Sequence, residues 1–326
     1  MRWLAALLVL LAGTPAQAET VRIARQFGIS YLPLILMQDA GLLEQEGRAR
    51  GLDLQTEWTT FSGGPPINDA LLSGNIDLAA GGVTTLLTLW GRTRTNLRVK
   101  GVAALGNMPI WLNTRNPAVH SVADLTEQDR IALPAVRLSI QAVVLQMAAV
   151  QAFGPGQANR LDALTVAMSH PDGQATLLAG GTEVTSHFTA APYMYEELRS
   201  PRIHRVLSSY DVLGGPHSFN LVWATGRYHD AHPQVIAAFL AALDRAMATI
   251  RDQPLQAAAV WVRMEKARLT AEQVADMIGR PENEWTTTPR RVMDFLAFMR
   301  STGAVTAGAE TWRDLFFPEV HALDGG

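Results

Sequence analysis

The stretch "FSGGPPINDALLSGNIDLAAGG", from Phe61 to Gly82, sets two glycine-rich turns on either side of one short apolar helix pattern. Turns with so little side chain let backbone N–H groups approach something closely. Four such turns precede helix patterns: Ser62-Gly63-Gly64-Pro65-Pro66, Gly81-Gly82-Val83-Thr84-Thr85, Ala135-Val136-Arg137-Leu138-Ser139 and Ser169-His170-Pro171-Asp172-Gly173. Each helix start leaves N–H groups without intrahelical partners, and the helix dipole makes that end attractive to an anion. Ser62, Thr84, Thr85 and Ser139 could add hydroxyl donors, and Arg137 could add charge. Ser and Thr are also ordinary helix caps, and Gly is ordinary in tight turns.

Other chemistry is poorly represented. There is no Gly-x-Ser-x-Gly elbow, His-Glu-x-x-His, Walker A or Gly-x-Gly-x-x-Gly pattern. His229, Asp230 and His232 have a metal-like spacing, with no third His or Cys ligand close in sequence. His217-Ser218 are neighbours whose side chains point apart, so no triad follows from them. The sequence contains no cysteine, which excludes disulfides and thiolate catalysis. No metal or cofactor is expected.

The elements that must position these turns fall into two α/β units. Strand patterns at 21–24, 54–58, 77–80 and 97–104 alternate with helix patterns at 32–43, 67–73 and 84–90. A second series has strands at 110–114, 130–133, 163–167, 184–188 and 204–208, and helices at 139–153, 173–178 and 192–198. A strand at 219–225 follows. Short loops between alternating elements argue for parallel-type sheets. From Pro233 onward only helix patterns appear, at 233–251, 255–266, 271–278, 288–300 and 311–316, and they must return to one of the sheets. The chain is expected to cross between units near 106–112 and 217–223, a geometry suited to hinge closure around a ligand. The expected domains are 1–18 as signal peptide, 19–107 with 220–326 as lobe one, and 108–219 as lobe two.

The N-terminus reads as a cleaved secretory leader: Arg2, an apolar run from Trp3 to Ala12, then Ala16-Gln17-Ala18. Export to a periplasm, with a mature chain beginning at Glu19, is expected. No later segment looks apolar enough to span a bilayer. A net charge of -3, about -4 without Arg2, argues against nucleic acid as a partner.

The leader, "QFGISYLPLILMQDAGLLEQEG", "FSGGPPINDALLSGNIDLAAGG" and "IALPAVRLSIQAVVLQMAA" together resemble the periplasmic solute-binding proteins of ABC importers. The branch is that of binders for nitrate, aliphatic sulfonates, taurine and thiamine-precursor pyrimidines, and the resemblance covers nearly the whole mature chain. It implies an α/β fold of two lobes, the type II periplasmic binding protein fold, with a cleft between the lobes and a helical C-terminal segment. It implies a monomer that binds a small ligand and no enzyme activity, with membrane permease and ATPase subunits as partners. By position it carries over Gln26, Phe27 and Tyr31, Ser62, Gly63 and Gly64, and Gly82, Thr84 and Thr85 as ligand contacts. In lobe two it carries over Arg137, Ser139, Gln141, His187 and Phe188. Sulfonate-type relatives often have Trp, an acidic residue and Pro where this chain has Phe188-Thr189-Ala190-Ala191-Pro192, which weakens the case for taurine. The leading expectation is a small anionic solute. The alternatives are a neutral heterocycle stacked on Phe27, Tyr31 and Phe188, lyase-type chemistry on the same fold, or a sensor without a permease.

Overall fold

A computed structural model describes residues 18–326. The leader reading therefore lies almost wholly outside the described residues. In chain order the first elements are β1 (Glu19–Arg25), α1 (Leu32–Ala40), α2 (Leu42–Ala49), β2 (Leu54–Thr60), α3 (Gly64–Leu72), β3 (Leu78–Gly82), α4 (Val83–Thr93) and β4 (Lys100–Ala104). Then come β5 (Trp111–Thr114), β6 (Ile131–Leu133), α5 (Ile140–Phe153), β7 (Thr165–Ala167), α6 (His170–Ala179), β8 (Ser186–Thr189), α7 (Tyr193–Glu197), β9 (His204–Ser208) and α8 (Ser209–Leu213). The last are β10 (Asn220–Ala224), α9 (Gly226–Ala231), α10 (Pro233–Asp252), α11 (Pro254–Met264), α12 (Ala271–Ile278) and α13 (Val292–Ser301).

Two five-stranded sheets result, in the orders β2-β1-β3-β10-β4 and β7-β6-β8-β5-β9. In the first, β10 runs antiparallel to β3 and β4; in the second, β5 runs antiparallel to β8 and β9. Each odd strand enters its sheet directly from the other lobe, so it needs no crossover helix to reverse direction. Both β3 and β10 are buried along their whole length, as sheet-centre strands with helices on both faces must be.

The crossings lie side by side. Leu105 N–H donates to Asn220 O at 2.9 Å, Phe219 N–H to Gly106 O at 3.2 Å, and Asn107 bridges Ser218. The segment after α12 joins them, with Asn107 and Glu284 exchanging backbone hydrogen bonds at 2.8 and 2.9 Å. Gly106 has φ 146°, and a Cβ there would sit 2.8 Å from Glu284 O. This three-way junction accepts glycine for both reasons.

Sequence and structure differ in places with local causes. The helix expected over 32–43 breaks at Gly41, whose left-handed φ of 60° caps α1 and opens α2. The helix expected over 288–300 starts only at Val292, and the one at 311–316 is a short 3-10 turn, Trp312–Leu315. By length and composition α10 passes for a membrane-spanning helix, against expectation, but half of it is buried inside the fold. It packs on α1, α2 and α11 through Ile236, Phe239, Leu243 and Met247.

Candidate functional site

The lobes meet over a cavity of about 20 Å³, the room of one water molecule, so a solute of several heavy atoms requires them to stand further apart than in this arrangement. Lobe one contributes Gln26, Phe27, Tyr31, Gly64, Gly82 and Thr85. Lobe two contributes Pro134, Ser139, Ile140, Gln141 and His170, and the crossing contributes Phe219 and Asn220. Helices α3, α4, α5 and α6 all begin at this wall, through Gly64, Val83 beside Gly82, Ile140 and His170. Their N-termini supply partial positive charge. No Lys or Arg is among the lining residues.

The side chains are mostly neutral donors. Burial pushes the Tyr31 phenol far above its ordinary range, with Arg25 opposing, so Tyr31 keeps its O–H. Burial holds the His170 imidazole well below its ordinary 6.5, and the charge of His187 acts in the same direction. Asn220 is 1% exposed and donates from Nδ2 to Ser30 Oγ at 2.7 Å, while its Oδ1 has no partner. Since amide O and N can be interchanged, this residue offers the cavity one unsatisfied polar end of either kind. Ser139 caps α5 by accepting from Ala142 N–H at 3.2 Å and donates to Ala135 O at 2.8 Å. Its hydroxyl is thus committed to local structure.

Of the residues selected from sequence, Gln26, Phe27, Tyr31, Gly64, Gly82, Thr85, Ser139 and Gln141 meet at the cavity. The others are placed elsewhere. The Arg137 side chain is 71% exposed, pairs with Asp162 at 3.1 Å, and is absent from the cavity wall. Phe188 is fully buried in the lobe-two core, and His187 lies beneath α6, against Gly173. Ser62 is exposed and caps nothing; Gly63 is the N-cap of α3. Sequence reasoning missed His170, Phe219, Asn220, Pro134 and Ile140. His170 follows Ser169 in the fourth turn and is the first residue of α6, and Asn220 is a polar residue heading an apolar strand; both signals were available.

The glycines answer a different need from the one their sequence suggests. A Cβ at Gly63 would lie 2.9 Å from Pro134 O, and one at Gly82 would lie 3.3 Å from Ile140, both across the cleft. Thr84 Oγ1 donates to Leu138 O at 2.9 Å, and Ile29 N–H to Ala191 O at 3.0 Å, again between lobes. Gly81 leaves room for Gln26, whose Nε2 would stand 2.7 Å from a Cβ there. These turns are where one lobe seats on the other. Phe27 also borders a hollow of about 270 Å³ with Tyr193, Glu196, Trp261 and Glu265. A larger hollow of about 720 Å³, by Trp90, Arg94 and Phe317, is lined by none of the residues selected as ligand contacts, but by His229 and Asp230 of the metal-like spacing. Among the described residues no group of three or more His, Asp or Glu is placed to hold a metal ion. His229 instead stacks on Phe317 and bonds to Asp230 and Glu319.

No protein-family model matches the chain, and no curated protein matches it by sequence. Solved structures do match. The alkanesulfonate-binding protein SsuA from Xanthomonas axonopodis pv. citri, bound to MOPS, aligns with TM-score 0.68 at 17% identity, over 89% of this chain and 95% of that one. The periplasmic nitrate-binding protein NrtA from Synechocystis PCC 6803 aligns with TM-score 0.69 at 15% identity, over 91% and 84%. A ligand-binding component of an ABC-type import system from Staphylococcus aureus, with zinc bound, aligns with TM-score 0.70 at 15% identity, over 93% and 98%. Those proteins bind different ligands, so the shared architecture does not carry a ligand with it. The two sheets, the paired crossings and these alignments together give this chain the two-lobe α/β fold of the periplasmic solute-binding proteins, as the resemblance implied.

Proposed function

We propose that the chain is the extracytoplasmic solute-binding component of an ABC importer, capturing a small oxoanion of the sulfonate or nitrate kind between its lobes. On this reading it is exported, cleaved after Ala18, acts as a monomer without catalysis, and delivers its ligand to a membrane permease with its ATPase. Lobe one comprises 19–107 and 220–326, and lobe two 108–219. The observation that carries the ligand class is the convergence of four helix starts on one cavity walled by neutral polar groups. Backbone N–H groups at such ends hold an anion without a fixed cation. The fold likeness to sulfonate- and nitrate-binding proteins supports the solute-binding role rather than the ligand class.

A neutral ring compound is the second reading. It is favoured by Phe27, Tyr31 and Phe219 in a wall that has no Lys or Arg. A thermal-shift panel of methanesulfonate, taurine, nitrate, acetate and a hydroxymethylpyrimidine separates the two. A ligand at about 100 times its Kd adds about 2.7 kcal/mol of stability. Stabilisation by an anion supports the first reading; stabilisation by the pyrimidine alone replaces it with the second.

A further inference from the structure

Behind the cavity wall runs a chain of buried polar groups. Glu197 of α7 is fully buried. Its Oε1 stands 2.6 Å from His187 Nδ1, and its Oε2 accepts from Asn113 Nδ2 at 2.8 Å. Its ion-pair partner among the described residues is His187, which is also fully buried. His187 Nε2 stands 3.1 Å from His170 Nδ1, and Thr189 Oγ1 is 3.1 Å from the same atom. The other ring nitrogen of His170, Nε2, faces Gln141 Nε2 at 3.3 Å, and both His170 and Gln141 line the cavity.

We propose that Glu197, through His187, fixes His170 with its proton on Nε2 and so orients the Gln141 amide with its NH₂ toward the bound solute. In this arrangement a proton sits on each nitrogen of His187, which gives the fully buried Glu197 carboxylate a compensating charge. His187 then donates twice, from Nδ1 to Glu197 and from Nε2 to His170 Nδ1. Its second donation leaves His170 Nδ1 as an acceptor, which Thr189 O–H can share. The single proton of a neutral His170 must then be on Nε2. His170 is the hydrogen-bond partner of the Gln141 amide among the described residues, and the O and N of that amide can be interchanged; in this arrangement its Oε1 accepts from His170 Nε2–H and its NH₂ is left for the cavity. One donor, the Gln141 NH₂, therefore faces the ligand, and no net charge is added, since Glu197 and His187 cancel. Burial of His170 favours its neutral form, consistent with this arrangement. From α7 Tyr193 also stacks on the ring, 5.6 Å between centroids; the charged groups acting on that phenol are Glu265, Glu196 and Arg25. Glu197, His187 and His170 are positioning residues here, and Gln141 is the specificity-determining contact.

The ligand part of this inference rests on the anion reading of the cavity; the tautomer part does not. Nitrogen-15 NMR of histidine-labelled free protein, with His170 assigned from a His170→Asn variant, reads the tautomer directly. The expected result at neutral pH is His170 protonated on Nε2, changing to Nδ1 in Glu197→Gln, where the amide no longer holds a proton on His187. An Nδ1 proton in the wild type, or no change in the variant, overturns the proposal whether or not any anion binds. Calorimetry with methanesulfonate and with nitrate supplies the second readout. Removing a negative charge should by simple electrostatics strengthen anion binding. The relay predicts that Glu197→Gln weakens it by about tenfold or more, because a donor becomes an acceptor. Strengthened or equal binding contradicts the relay, while absence of binding to both proteins counts against the anion reading alone.

Discussion

His217 shows how one side chain ties the crossing together. It is fully buried, with Nδ1 donating to Ser218 O at 2.9 Å and Nε2 2.8 Å from Ser209 Oγ, which accepts from Ile110 N–H and has its own O–H to donate to the neutral ring. Burial pulls its pKa down to about 4. The unfolded chain takes up a proton near pH 6.5 and the folded chain does not, so stability is complete above that pH and declines toward pH 4. At about 1.4 kcal/mol per pH unit, His217 alone removes about 3 kcal/mol across that window. Chemical denaturation at several pH values should show this slope, and a His217→Gln variant should reduce it while buried His170 keeps its own share; an equal slope in the variant contradicts the assignment. Arg137 gives the opposite lesson. Its place just before α5 marks it in the sequence as an anion partner, yet its side chain turns out to Asp162. Arg137→Ala should leave affinity for methanesulfonate or nitrate within about twofold, whereas a loss on the scale of a charge-assisted hydrogen bond, about 1.5–3 kcal/mol, would return it to the site. Phe188→Ala should lower stability by about 3–5 kcal/mol through the cavity it leaves. Sequence shows which residue begins a helix, but side-chain direction depends on packing that spacing does not encode. In β8 all four residues are buried, so no alternation of polar and apolar positions marks which of His187 and Phe188 faces the cleft side.

Turns and helix starts were more legible, because glycine, proline and capping residues act locally. Pro65, Ser139 and Ser169 mark the openings of α3, α5 and α6, and the Ser139 and Ser169 side chains each accept from the backbone as caps. The sequence could not reveal what those turns face, since the partner is a segment far along the chain. Gly63 has an extended φ of -171°, so any residue can adopt its backbone, and only the Pro134 carbonyl 2.9 Å from a Cβ requires glycine. Gly63→Val should therefore leave the thermal unfolding of the free protein nearly unchanged and reduce ligand affinity by more than about tenfold, because the lobes cannot seat. Unchanged affinity by calorimetry would show that this contact is not needed for binding. The short helices α8 and α9 were not legible: five and six residues carry too little periodicity to stand out beside the strands they adjoin. The division of α1 from α2 was marked by Gly41 and masked by Leu42 and Leu43, which continue the apolar spacing across the break.

At the scale of the molecule, the two crossings and the segment near Glu284 form a junction on which the lobes can turn, and the cleft contacts of Thr84, Ile29 and Gly63 define a closed arrangement. The two-lobe plan was readable because two α/β series and a helical tail leave few other arrangements. The helical tail returns chiefly to lobe one, where α10 and α11 cover α1 and α2, while Glu282 and Asn283 reach lobe two at Tyr195 and Tyr210. Closure around a small solute is the central claim, and the absence of cysteine makes it directly measurable. Cysteines introduced for Ser73 near the end of α3 and Ala175 on α6, both exposed, would carry spin labels on opposite lobes. Electron–electron distance measurement without ligand and with saturating methanesulfonate or nitrate should give a distribution that shifts to one shorter distance on binding, and no shift in the Gly63→Val background. A distance distribution that stays the same in the wild type while the anion is bound would contradict closure, and with it the reading of the cavity as the place where the solute is held.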